Sequence, residues 1–138
     1  MDKATFTLIG YYFDHVVIDF QNYTENGQWF VDINPSGSYN EETGEYTLLF
    51  LFVGRFGEAE GAPRVETQCK ALFKFGSPLK YEDIPSYFYA NSIAIIFPYV
   101  RAFVSTVTLQ ANLQPVILPT YNLSALKDML VEKTTIQK

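Results

Sequence analysis

The stretch Ile95-Ile96-Phe97-Pro98-Tyr99-Val100-Arg101-Ala102-Phe103-Val104 decides how the chain is organised. In and around it Ile93, Ile96, Phe97, Val100, Phe103, Val104 and Val107 recur at spacings of three and four, the period of a helix with one apolar stripe. Val104 and Val107 favour strand by propensity, and Pro98 lacks the amide that a helix interior uses, so Pro98 should lie near a first turn or mark a kink. Arg101 is the only formal charge in residues 84–126. A helix exposed on a monomer carries charged side chains, so this segment is expected to be buried on more than one side, in part by another subunit.

Upstream the pattern changes to strands. Residues 5–20 set Phe6, Leu8, Tyr12, Val16, Ile18 and Phe20 against Thr5, Thr7, His15 and Asp19, the alternation of a long, half-buried strand. Trp29, Val31 and Ile33 form a shorter one, bounded by Glu25-Asn26-Gly27 and ended by Asn34-Pro35-Ser36-Gly37. Residues 45–56 are β-rich and apolar at both parities, which predicts a central strand covered on both faces. Val65, Thr67, Cys69, Ala71, Phe73 and Phe75 then alternate with charged and polar residues. Downstream, Pro115 and Pro119 hold an extended link, Asn122 can cap, and Leu123, Leu126, Met129 and Leu130 make the stripe of a second, amphipathic helix. The reading is an α+β domain spanning residues 1–138, a four-stranded antiparallel sheet followed by two helices.

Composition narrows the function. The 138 residues hold 15 acids and 10 bases, a formal net charge of −5, which argues against nucleic acid or an anionic membrane surface as partner. Ten of the acids fall in residues 1–60, where only Lys3 and Arg55 oppose them, so that part should present a negative field. The start of the chain lacks the basic and apolar pattern of an export signal, and the apolar stretch 87–100 is too short to span a bilayer; a cytoplasmic protein without direct membrane insertion is expected. One histidine, His15, and one cysteine, Cys69, cannot assemble a zinc site, and no phosphate loop, dinucleotide fingerprint or nucleophile elbow is present. Cys69 lies on the apolar parity of its strand, the setting of a buried, inert thiol. Neither an enzyme nor a cofactor is expected.

Twelve Phe, ten Tyr and one Trp are more aromatic surface than a core of this size readily hides. Such side chains line adaptable apolar grooves as well as subunit interfaces. The run from Ile96 to Arg101, then Phe103-Val104 and Leu118-Pro119-Thr120-Tyr121-Asn122-Leu123-Ser124-Ala125-Leu126, resembles the C-terminal half of SecB, the bacterial protein-export chaperone. The strand from Tyr46 to Phe56, the Phe56-Gly57-Glu58 turn and the strand after it resemble the corresponding SecB hairpin.

The resemblance implies a dimer of dimers, a homotetramer in which first strands pair across the monomer interface and first helices pack between dimers. Pro98, Tyr99, Arg101, Phe103 and Val104 become candidate interface residues. It implies a holdase that works without ATP on unfolded polypeptides, precursors for Sec-dependent export among them, with Trp29, Phe50 and Tyr121 as candidate client contacts. It also implies docking of the motor SecA on an acidic sheet face, with Asp19 and Glu58 at acidic positions and Phe56 at an apolar one. This chain departs from the pattern in Ala102 after the motif arginine, in His15 where an acid is expected, and in a C-terminus without an acidic tail. Two other readings compete: a SecB-like chaperone dedicated to one partner, such as the antitoxin of a toxin-antitoxin pair, and a structural oligomer or apolar-ligand binder.

Overall fold

The computed structural model describes residues 4–21, 29–57, 63–113 and 123–137. Four strands come first: β1 (Phe6–Ile18), β2 (Trp29–Asn40), β3 (Glu45–Phe56) and β4 (Pro63–Phe75). A 3₁₀ turn, Tyr81–Asp83, leads into α1 (Ser86–Gln110), followed by α2 (Leu123–Glu132) and β5 (Thr134–Ile136). The sheet runs β1-β4-β3-β2-β5, antiparallel except for β5, which lies parallel to β2. The architecture is therefore α+β, but the expected four antiparallel strands become a mixed sheet of five.

Strand β5 escapes sequence reading because Thr134-Thr135-Ile136 is too short to show a period. It is held from three directions. Gly37 donates its N–H to the carbonyl of Lys133 at 3.2 Å, Gln137 donates to the carbonyl of Tyr39 at 2.8 Å, and the buried hydroxyls of Tyr46 and Thr134 meet at 2.6 Å. A Cβ on Gly37 would lie 2.1 Å from the Tyr46 hydroxyl, so glycine there makes room for the ring that reaches β5.

Strand β2 continues six residues beyond the expected stop at Asn34. Pro35 is tolerated because the odd positions of β2 aim their backbone groups away from β3, as the Gly37 and Tyr39 bonds to the β5 segment demonstrate. Its missing N–H breaks no bond to β3. Strand β3 is central, as expected, but its two faces are closed to different degrees: Tyr46, Leu48, Phe50 and Phe52 are fully buried, whereas on the other face Val53 is buried and Leu49 and Leu51 are half-buried.

The closed face meets both helices. Phe88 inserts among Phe6, Phe73, Phe75, Tyr46 and Tyr89, with ring centroids 4.7–5.8 Å away and mostly edge-to-face. Ile93, Ile96, Val100 and Val104 carry the α1 stripe across the sheet, and Leu126 and Leu130 of α2 complete the core. Helix α1 does not end at the charged Arg101; its 25 residues are long and apolar enough to cross a membrane, yet eight of them are buried in this packing. Pro98 sits inside the helix rather than in its first turn, on the exposed side. The C-terminus of α1 closes with Asn112 at φ 61° and the amide of Leu113 on the carbonyl of Thr108.

Candidate functional site

Two one-residue bulges in β1 set the surfaces available for binding. The register with β4 shifts between Leu8 and Gly10 and again between Phe13 and His15. Each bulge moves the following residues to the opposite face. Tyr11 and Phe13 therefore join Phe6 and Leu8 on the helix-bearing face, where Tyr11 packs 4.4 Å from Tyr99 and Phe13 stacks 4.2 Å from Phe103. Tyr12, expected inside, faces outward and is exposed. The second shift returns Val16 and Ile18 to the inner face, where both remain exposed. Ile9, Tyr11, Tyr12, Val16, Val17 and Ile18 together make β1 an apolar strand at a sheet edge.

At the end of the helix-bearing face, Trp29 pairs in register with Phe56, and their rings meet edge-to-face at 5.2 Å. Gly54 makes this possible: a side chain there would press on Trp29 and Phe52 at 3.3 Å. Trp29, Val31 and Phe20 are half-buried against the core, an apolar ledge with wet edges suited to an extended chain. Trp29 thus stands where a client contact could be made. Phe50 does not: it is fully buried, its ring 6.3 Å from Phe97, because β3 is the centre of the sheet. Tyr121 and Glu58 lie outside the described residues.

The two described members of the motor-docking set, Asp19 and Phe56, do not share an acidic surface. Phe56 turns toward Trp29 on the helix-bearing side. Asp19 follows β1, accepts a bond from the Gln21 amide at 3.0 Å and lies 4.0 Å from the Arg64 guanidinium. The outer face at this end is a ladder of opposite charges and amides, with His15 on Glu66 at 2.7 Å, Gln68 on Asp14 at 3.2 Å and Arg55 on Asp32 at 2.7 Å. Acids dominate the sequence of residues 1–60, but bases and amides from β3 and β4 meet several of them across the strands.

Among the candidate interface residues, Pro98, Tyr99 and Arg101 are exposed on α1. Val104 is fully buried inside its own protomer, and Phe103 stacks on Phe13 of its own β1. Both turn toward their own sheet, a choice that the helical period leaves open. Cys69 is buried, as its parity required, and burial, with Asp14 adding a smaller effect, pushes its thiol up to about 11. At neutral pH it is a protonated, unreactive thiol. Burial likewise raises Tyr89 to about 12 and Tyr46 further, so these phenols are structural groups rather than acids in waiting.

Comparison with solved structures places this architecture among SecB-like folds. The Mycobacterium tuberculosis SecB-like chaperone Rv1957, solved in complex with a ChAD peptide from the antitoxin Rv1956 HigA1, superposes with a TM-score of 0.67 at 13% identity, covering 84% of this chain and 90% of that one. A Streptococcus agalactiae protein of unknown function aligns at a TM-score of 0.49 and 11% identity, covering 87% of this chain and all of the other. No family model matches the chain. In sequence it is 58% identical over 36 residues to the uncharacterized protein MJ0357 of Methanocaldococcus jannaschii, a match spanning 26% of this chain and 23% of that protein. The fold of this chain is SecB-like.

Proposed function

We propose that the protein is a holdase, independent of ATP, that binds unfolded or extended polypeptide in the cytoplasm. The observation that carries this reading to the chain's own residues is the half-exposed Trp29–Phe56 pair, with Val31 and Phe20 beside it, on the helix-bearing face of a SecB-like fold. Half-exposed aromatics hold apolar side chains of any sequence, and only an unfolded chain offers several of them in a row. No cofactor enters this mechanism. Clients destined for export, with SecA as the receiving partner, are the general form of the proposal.

A chaperone dedicated to one partner is the second form, favoured by the antitoxin peptide bound to Rv1957. It asks less of the outer face, where Asp19 lies near Arg64 and Phe56 is turned away. Trp29 is the chain's only tryptophan and reports directly on its surroundings. Its emission should move to shorter wavelength on adding a reduced, slow-folding precursor and stay unchanged with the same protein folded. Trp29→Ala should weaken suppression of aggregation by about 1–3 kcal/mol of client affinity. Equal aggregation with and without stoichiometric protein would refute the holdase reading.

Assembly as a dimer of dimers belongs to the same proposal. The exposed Tyr11, Val16, Val17 and Ile18 of β1 and the outward Tyr87, Ile95, Tyr99 and Leu109 of α1 are the surfaces such an assembly would cover. Sedimentation at micromolar concentration should give a tetramer, and Val17→Lys on the β1 edge should reduce it to smaller species. A monomer in the unmodified protein would remove the assembly from the proposal.

A further inference from the structure

The face of the sheet turned away from the helices is not uniformly polar. The first bulge of β1 leaves Ile9 without a register partner, and Gly10 adds no side chain where a Cβ would meet nothing within 4 Å. Beside this bend a trough of about 590 Å³ crosses the outer face. Tyr12 and Ile9 wall it on β1, both 57% exposed; Leu72 and Thr47 form the floor; Gln137, bonded to Ser38, closes the far side. From β1 to β5 there are four strand spacings, about 19 Å, the length of roughly six extended residues.

The electrostatics of the trough differ from the rest of the face. Lys70, which lines the trough, and Lys74, outside its lining, stand on the outward side of β4, one on each side of Leu72. Among the described residues neither has a carboxylate within ion-pair distance, whereas Arg55, Arg64 and His15 at the other end all do. Glu45, opposite Lys74 in register, is the one acid of the lining. On a chain of net charge −5, Lys70 and Lys74 on either side of Leu72, outnumbering Glu45, favour an acidic occupant.

We propose that this trough docks a short, extended, acidic segment of a partner protein, with an aromatic or aliphatic side chain set between Tyr12 and Leu72 and flanking carboxylates on Lys70 and Lys74. The trough and the Trp29 ledge occupy opposite faces, so the proposal goes beyond the holdase reading and does not depend on it. A docked segment would leave client binding free, the arrangement of an adaptor.

The probe is a fluorescein-labelled hexapeptide with phenylalanine and leucine at its centre and two glutamates on each side. Anisotropy should show saturable, salt-sensitive binding in the micromolar range. The double variant Lys70→Glu, Lys74→Glu should bind it at least tenfold more weakly and should prefer a peptide with lysines in place of the glutamates, an inversion that mere damage to the fold cannot produce. Should that variant fail to fold, Lys70→Gln is measured instead, with a loss of severalfold expected. Tyr12→Ser should weaken the acidic peptide while leaving suppression of aggregation intact. Absence of saturation at about 1 mM peptide, unchanged affinity in the lysine variants, or a Tyr12→Ser protein with an altered sedimentation coefficient would each overturn the proposal, the last by making the trough a contact between copies.

Discussion

Phe88→Ala is expected to lower the unfolding free energy by about 3–5 kcal/mol, the upper range for truncating a buried aromatic. The size follows from position. Phe88 is fully buried at the junction of β1, β3, β4 and α1, and five aromatic rings close on it. Three of the four antiparallel strands and the start of the long helix lose a shared anchor at once, and rigid rings collapse poorly into a cavity. For a domain whose total stability is about 5–15 kcal/mol, that loss should bring the urea midpoint down sharply with little change in slope. Ile95→Ala, on the exposed side of the same helix, should stay within about 1 kcal/mol when unfolding is followed at concentrations where copies are dissociated. Equal losses at the two positions would mean that α1 is not seated as described.

Gly37→Ala should cost about 2–4 kcal/mol, a large penalty for one methyl group, because β2 is held between β3 and β5 at this position. The added carbon would stand 2.1 Å from the Tyr46 hydroxyl and 2.5 Å from the ring carbon that bears it. Tyr46 is fully buried, so its ring has no solvent side to escape to, and moving it breaks the 2.6 Å bond to Thr134. Tyr46→Phe alone loses only that bond, about 1 kcal/mol, but leaves the Thr134 hydroxyl its second partner, the carbonyl of Leu130. Chemical denaturation of the two single variants and the double variant should show losses that do not add, because both act through the same contact. Strict additivity would disprove the coupling.

Much of the fold could be read from the sequence because its periodicities are long. The clean alternation from Val65 to Phe75 gave the inward face of β4 residue by residue, and the three-and-four spacing of Ile93 to Val104 outweighed the strand preference of its valines. Strand β1 illustrates the limit. Its parity fails at Tyr12 and recovers at Val16 only because two bulges each insert one residue and their shifts cancel. Nothing in a run of apolar residues marks which one is extra. The site was less legible than the fold for a related reason: side chains become a binding surface by being left uncovered, and coverage is a tertiary property. Trp29 and Phe56 belong to one ledge because β2 and β3 pair in that register, while Phe50, equally aromatic, is closed off beneath Phe97.

Strand β5 has a consequence for how the protein is made. It follows every strand of the sheet it joins, and its place beside Gly37–Tyr39 must wait for it through the whole synthesis of β3, β4 and both helices. During translation the β2 edge and the pocket that receives Thr134 are open, and the nascent chain carries the uncovered sheet edge and apolar surface that make partly folded polypeptides aggregate. On the proposed function, each new copy passes through a stage in which it is itself a substrate for finished copies, so the rate at which this protein accumulates would depend on how much of it the cell already holds.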